Sequence, residues 1–265
     1  MMSDNGASPA GSGKLSKAGR QERIVAELRA GPTLRVSELA TTLGVSTETI
    51  RRDLDELEAR GLINRTYGGA VRPFGPEPTI RERHQMLVSE REIIAAAAAR
   101  TISHGDVLII GGGATTTHVA RRLAAEKRDL KVFTDSFAVA TVLAPNPTVE
   151  VFLCPGRYNG QEGCVSGAET IDYIGKIYAN HAILGATGLT EDGPNDADID
   201  AAATYRAMAL RATDVTVVAD HTKFDRAAIS VYCRWPVISR LVTDQRPEGA
   251  LRLILERAGV EVIVP

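Results

Sequence analysis

Four side chains in one short stretch, Thr47, Thr49, Arg51 and Arg52, have the types that read a nucleic-acid duplex. An arginine can pair two donors with a guanine edge in the major groove, and a threonine hydroxyl reaches a base or a phosphate. Val45, Ile50, Leu54 and Leu57 recur at helical spacing and make an apolar stripe, and the four polar residues fall largely off it. Ser46, a further DNA-binding candidate, is placed to cap this helix by accepting from an amide of the first turn. Glu48 suits the positive end of the helix dipole, and Gly61 can end the helix. A solvated helix with ordinary surface arginines would show the same stripe. The neighbours weigh against that reading: Leu28 to Leu43 supplies a preceding helix pair and Gly44-Val45-Ser46 a short turn, as a helix-turn-helix requires. Leu62 to Arg65 then reads as a strand, Tyr67-Gly68-Gly69 as a turn and Ala70-Val71 as the return strand. Arg65 and Arg72 would lie on this wing beside a DNA backbone, with Tyr67 as a further contact.

A second group of residues could hold an anion. In IIGGGATTTH, Ile109 to His118, the glycines let backbone approach a ligand, and Thr115, Thr116 and Thr117 offer hydroxyls at a helix start, where amides and dipole favour phosphate. A plain structural turn explains the same residues. No Gly-Lys-Ser/Thr follows, so this is not a Walker loop. Thr134-Asp135-Ser136, Gly156-Arg157 and Asp220 to Phe224 each follow an apolar run, and Lys223 could meet a phosphate as a point charge, or be a surface lysine. The acidic stretch Asp192 to Asp200 could offer an enzyme its carboxylate base. Asp196, Asp198 and Asp200 alternate like calcium ligands, yet the glycine and distal glutamate of an EF-hand are absent. The stretch is expected to cover the site or to be solvated, and no metal or cofactor is expected.

The elements around these groups follow from the pattern. Residues 1–15 are rich in Ser, Gly and Ala and read as a disordered tail. Residues 16–72 hold the helices and wing, with Ser37 as the cap of the second helix. Residues 73–88, with prolines and then the polar run IRERHQ, read as a linker. Residues 89–265 alternate helices with apolar runs: a helix over Glu90 to Ser103, then strands at Val107 to Ile110, Leu130 to Thr134, Val149 to Leu153, Ala182 to Leu184, Val215 to Ala219 and Leu241 to Thr243. Helices fall at His118 to Lys127 and Ser136 to Leu143, and a last helix and strand end the chain. This alternation predicts an α/β domain with a mainly parallel sheet, whose ligands sit at the carboxyl ends of the strands.

The segment LGVSTETIRRDLDELEARGLINRTYGGAV resembles the winged helix-turn-helix of the DeoR family of bacterial transcription regulators. Further on, Gly113, Thr115 and Thr116, then Thr134 and Ser136, then Gly156, then Asp220, Lys223 and Phe224 match the pattern of that family's sensor domain. The resemblance runs from about Lys17 to the C-terminus. It implies a sensor with the fold of ribose-5-phosphate isomerase and glucosamine-6-phosphate deaminase. It also implies a phosphorylated sugar or related metabolite whose binding weakens the hold on a double-stranded operator. With Arg157, which follows an apolar run, the effector residues expected are Gly113, Thr115, Thr116, Thr134, Asp135, Ser136, Tyr205 and Lys223. Four positions depart from the family: Gly111 stands where Asp is common, Ala114 for Ser or Thr, Asp135 for Asn and Tyr205 for Lys. Each makes the site less hospitable to phosphate, which admits a sugar without phosphate or with another anion.

Composition agrees with a small basic end on an acidic body. Lys14 to Arg72 holds eleven Lys and Arg against eight Asp and Glu, on a chain of net charge −2. The three cysteines match no zinc spacing and are expected as reduced thiols. No apolar run reaches the roughly 20 residues that span a bilayer, and the N-terminus lacks the apolar core of a secretory signal. A cytoplasmic protein is expected from this, and the family resemblance implies a repressor of a carbohydrate operon, working as a homo-oligomer, a dimer or tetramer on paired half-sites. Two alternatives share parts of this sequence: a sugar-phosphate isomerase or deaminase with an appended DNA-binding domain, and a DNA-binding protein without a small-molecule effector.

Overall fold

The apolar stripes do gather three helices around one small core. The computed structural model describes residues 15–30, 33–60, 62–66, 68–71 and 78–265. The chain divides into two compact units, Met1–Phe74 and Gly75–Pro265. In the first, α1 (Lys17–Ala30), β1 (Thr33–Arg35), α2 (Val36–Leu43), α3 (Thr47–Ala59), β2 (Asn64–Thr66) and β3 (Gly69–Val71) follow in order. Ile24, Leu28, Leu39, Ile50, Leu54, Leu57 and Ile63 are buried together. Gly44, with φ 63, closes α2 in the left-handed conformation, and Ser46 caps α3 by accepting from the Thr49 amide at 3.2 Å.

One expectation needs correction here. Ser37 does not cap α2: Arg35 holds the cap position without a side-chain bond. The physical reason is β1, a strand not foreseen from the sequence, which runs straight into α2 and leaves no turn for a serine cap. β1 pairs antiparallel with β3, and β3 with β2. Gly69 permits the first pairing, since a Cβ there would lie 1.8 Å from the Leu34 carbonyl oxygen. Gly61, Tyr67, Arg72, the expected tail up to residue 14 and linker residues 73–77 lie outside the described residues.

The second unit runs α4 (Ile80–Arg83), α5 (Val88–Arg100), β4 (Val107–Ile110), α6 (Ala114–Glu126), β5 (Lys131–Thr134), α7 (Phe137–Leu143) and β6 (Glu150–Leu153). A hairpin follows, β7 (Arg157–Asn159) and β8 (Cys164–Ser166), then α8 (Ala168–Ile174), β9 (Ala179–Leu184), β10 (Gly188–Thr190), β11 (Gly193–Asp196) and α9 (Ile199–Ala209). The chain ends with β12 (Ala212–Val218), β13 (Ser230–Val231), β14 (Arg240–Val242), α10 (Gly249–Ala258) and β15 (Glu261–Ile263).

The apolar runs form a seven-stranded parallel sheet of order β15-β14-β12-β9-β4-β5-β6. Alternate residues serve two cores, as the two-residue period of a strand demands. Ile109, Ala182, Leu184, Val215 and Val217 pack on one side, and Leu108, Ile110, Ile183 and Val218 on the other. After β4 the chain lays strands toward one edge, and from β9 toward the other. The strand order therefore reverses between β4 and β9, which is where open sheets of this kind bind ligands. α4 falls inside the stretch expected as linker, and α6 begins at Ala114, four residues before its expected start at His118. The acidic stretch expected over or outside the site contains β11, which pairs with β10 and β13.

Candidate functional site

The exposed face of α3 carries the residues expected to meet DNA. The side chains of Arg51 and Arg52 are 59% and 77% exposed, and both lean on Glu48, at 4.0 and 3.4 Å. Such exposed pairs contribute little, so either arginine can leave Glu48 for a base edge at small cost. Thr47 is exposed beside them. Ser46 and Thr49 are engaged in the cap, their hydroxyls 2.9 Å apart. Arg65 is tied to α3: its guanidinium donates to the Arg51 carbonyl at 3.2 Å and meets Asp55 at 3.3 Å, and its amide donates to Glu58 at 2.9 Å. It thus fastens β2 against the helix. Arg51→Ala is expected to cost about 1–3 kcal/mol of operator affinity and to relax preference at one base pair. Binding titrations on a set of single-base operator variants check this; an equal loss on every sequence would make Arg51 a phosphate contact only.

In the second unit a cavity of about 320 Å³ opens at the carboxyl ends of β4, β5 and β9. A narrow arm of about 30 Å³ shares its wall and runs beneath the start of α6. Gly113 caps α6 with φ 133 and no side-chain bond, so the first-turn amides are left for another acceptor. A Cβ at Gly112 would lie 2.2 Å from the Cys164 sulfur, so any larger residue there would displace that side chain. Gly113 and Tyr205 line both spaces, Asp135 the main cavity, and Thr115 and Lys223 the arm.

Other expected residues support the walls. Thr116 and Thr117 turn their hydroxyls back to the Gly113 carbonyl, at 3.0 and 2.7 Å. Thr134 donates to the Ile110 carbonyl at 2.7 Å and accepts from the Ser136 amide at 3.1 Å, while Ser136 caps α7. Arg157 is exposed and paired with Asp200. None of Thr116, Thr134, Ser136 and Arg157 lines either space.

Tyr205 explains two of the unusual positions at once. Its ring fills the volume beside Gly111, where a Cβ would lie 2.9 Å from it. Its hydroxyl donates to the Gly112 carbonyl at 2.7 Å. Its ring meets Tyr232 edge-on at 5.5 Å, and the Tyr232 hydroxyl donates to the Gly185 carbonyl at 2.7 Å. The two tyrosines thereby brace the loops after β4 and β9, on either side of the point where strand order reverses.

Several lining residues were not foreseen. Arg83 on α4 reaches both spaces and pairs with Glu162. Arg91, which lines the arm, is buried on α5; it donates to the Met86 carbonyl at 2.6 Å and lies 3.7 Å from Asp220. Its position beside Ile94, Ala95 and Ala98 on one apolar face was the available signal, since a charge on such a face must be paired. Asp196 lines both spaces and accepts from the Asp198 amide at 2.9 Å.

Burial pushes the Asp135 carboxyl up to about 7; the nearby Asp196 adds to the rise, and the amides of Asp135 and Gly112 oppose it. Burial likewise pushes Asp196 up to about 6, against the Asp198 amide, with Glu162 adding and Arg83 subtracting. The three cysteines are free, and burial pushes the thiols of Cys154 and Cys164 well up, so neither is an activated nucleophile. Among the described residues no group of three His, Cys, Asp or Glu side chains could hold a metal ion. Nor is any described helix long and apolar enough to cross a membrane.

Comparison with known proteins agrees with this division of the chain. Residues 20–73 match the DeoR-like helix-turn-helix domain and residues 87–245 the DeoR C-terminal sensor domain. The chain belongs to the DeoR family. Relatives in that family include the HTH-type transcriptional repressor CsqR of Escherichia coli, 30% identical over 88% of this chain and 89% of that protein. The HTH-type transcriptional repressor GlcR of Bacillus subtilis is 30% identical over 92% of this chain and 96% of its own. The glycerol-3-phosphate regulon repressor of E. coli is 29% identical over 91% of this chain and 96% of its own. Among solved structures, ribose 5-phosphate isomerase A of Methanocaldococcus jannaschii superposes with a TM-score of 0.38 at 14% identity, over 51% of this chain and 53% of that one. For eIF2B beta of Chaetomium thermophilum the TM-score is 0.45 at 15% identity, over 91% and 70%. DeoR relatives named as repressors point away from catalysis.

Proposed function

We propose that this chain represses a carbohydrate-metabolism operon and lets go of its operator when a phosphorylated sugar enters the cavity of the second unit. The observation that carries this reading is the pairing, in one chain of the DeoR family, of an exposed basic face on α3 with a cavity whose arm gathers anion-binding groups. In that arm the α6 amides, Arg83, Arg91 and Lys223 offer positive potential to a phosphate, while the hydroxyl-bearing body of a sugar extends into the main cavity. Thr47, Arg51 and Arg52 read the major groove, and two or more copies occupy paired half-sites, because one winged helix covers few base pairs. The protein is read as a binder and not an enzyme.

The test is selection of bound DNA from a random pool, followed by release. The reading expects a recurrent sequence with paired half-sites, bound more weakly as salt rises. It further expects Lys223→Ala to weaken the response to a sugar phosphate about ten- to hundredfold, the scale of one lost hydrogen bond to a charged group. Selection without any preferred sequence sinks the DNA half; an unaltered response in Lys223→Ala sinks the placement of the phosphate.

A further inference from the structure

The two ends of the cavity differ in charge. The arm is basic on balance, with Arg83, Arg91, Lys223 and the uncapped start of α6 against the one carboxylate of Asp196, which with Arg83 lines both spaces. The body is acidic: Asp135, Glu162, Asp196 and Asp198 line it. A simple sugar phosphate would place its phosphate in the arm and its hydroxyls against these carboxylates as donors, which would balance none of their charge.

Asp135 is the informative residue. It is 2% exposed, it lines the cavity, and its Oδ1 has no hydrogen-bond partner among the described residues. A buried carboxylate left in that state is costly until a donor reaches it. Asp196 acts on it as a like charge across the same cavity, and burial holds both carboxyls above their ordinary range. Arg83, a cation lining the same wall, is already paired with Glu162. A hydroxyl would supply one donor and leave the charges unbalanced. An ammonium group supplies three donors and the positive charge that two carboxylates lining one cavity favour.

We propose that the effector is an amino sugar phosphate, with its phosphate in the arm at the start of α6 and its ammonium group between Asp135 and Asp196. This rests on the sugar-phosphate reading above and narrows it to one chemical class. It also gives the aspartate at position 135 a purpose: it is unfavourable toward an anion taken alone and favourable toward a ligand with a cation at that end.

Calorimetric titration of the full-length protein with matched pairs tests this. The pairs are glucosamine 6-phosphate with glucose 6-phosphate, and galactosamine 6-phosphate with galactose 6-phosphate. In at least one pair the amino member is expected to bind about tenfold tighter, and that ratio is expected to fall toward one in both Asp135→Asn and Asp196→Asn. The comparison on the unmodified protein stands even if one variant folds poorly. Equal binding within both pairs, or a preference that survives both substitutions, overturns the amino group and leaves the sugar-phosphate effector standing. Failure of all four to bind overturns the amino sugar phosphate, and the wider sugar-phosphate reading is then decided by release of the protein from its DNA.

Discussion

Arg20→Ala is expected to cost the first unit about 3–5 kcal/mol, because it strands a buried carboxylate. Asp53 lies on α3 at 1% exposure, between Ile50, Leu54 and Leu57 in the core. Arg20 on α1 meets it with two bonds, Nε to Oδ2 at 2.5 Å and Nη2 to Oδ1 at 3.0 Å. The fork geometry suits a carboxylate, and the pair pins α1 to the back of the recognition helix. Without the arginine the carboxylate keeps its desolvation penalty and loses its partner. A small domain has a net stability of only about 5–15 kcal/mol, so the loss consumes much of it and DNA binding at 37 °C should fall with it. Replacing both residues, Arg20→Met with Asp53→Leu, should restore much of the stability, since an apolar pair of similar volume is often neutral there. Thermal unfolding of the full-length protein, read by circular dichroism alongside DNA binding, checks this. A shift in Tm no larger than that of a surface substitution would show the pair to be incidental.

Asp135→Asn is expected to stabilise the second unit increasingly as pH rises. The folded carboxyl is raised to about 7, above the ordinary Asp value of about 3.9. Its contribution to stability is therefore fully present below about pH 4 and is lost as pH climbs through 7. The full shift corresponds to about 4 kcal/mol, an upper bound for a group coupled to Asp196. Asp196, raised to about 6, acts in the same direction over a lower window. His84 and His118 act oppositely: burial lowers both, helped by Arg91 and Arg121, so they add stability as pH rises toward 6.5. Comparing the variant with the unmodified protein at each pH cancels the histidines. Urea unfolding at pH 5.5 and 8 should show the advantage of Asp135→Asn growing by up to about 2 kcal/mol. A difference that stays constant between the two would mean that Asp135 is not raised.

The recognition helix was legible because its information is local. A stripe at Ile50, Leu54 and Leu57, a serine cap and a short turn specify α3 without reference to the rest of the chain. The parallel strands were legible for a similar reason, since apolar runs such as Val107 to Ile110 have to be buried on both faces. What stayed hidden depends on partners distant in sequence. β1 has three residues and exists by pairing with β3. Asn195 looks solvated in a run of aspartates, yet β11 buries it between β10 and β13. Arg83 sits in a polar segment that reads as linker, and only the fold brings it to the cavity. Gly111 and Tyr205 looked like two separate departures from the family; the ring of one filling the space of the other joins them.

Release of the full-length protein from its selected DNA, followed by fluorescence anisotropy at a fixed salt concentration, tests the account most directly. Increasing amounts of individual sugar phosphates and amino sugar phosphates are added to the complex. The account predicts that at least one phosphorylated sugar frees the DNA in a saturable manner, and that Lys223→Ala shifts that titration to higher concentration. Sequence-specific binding that no phosphorylated sugar disturbs would contradict it, leaving a DNA-binding protein whose cavity answers to some other chemistry.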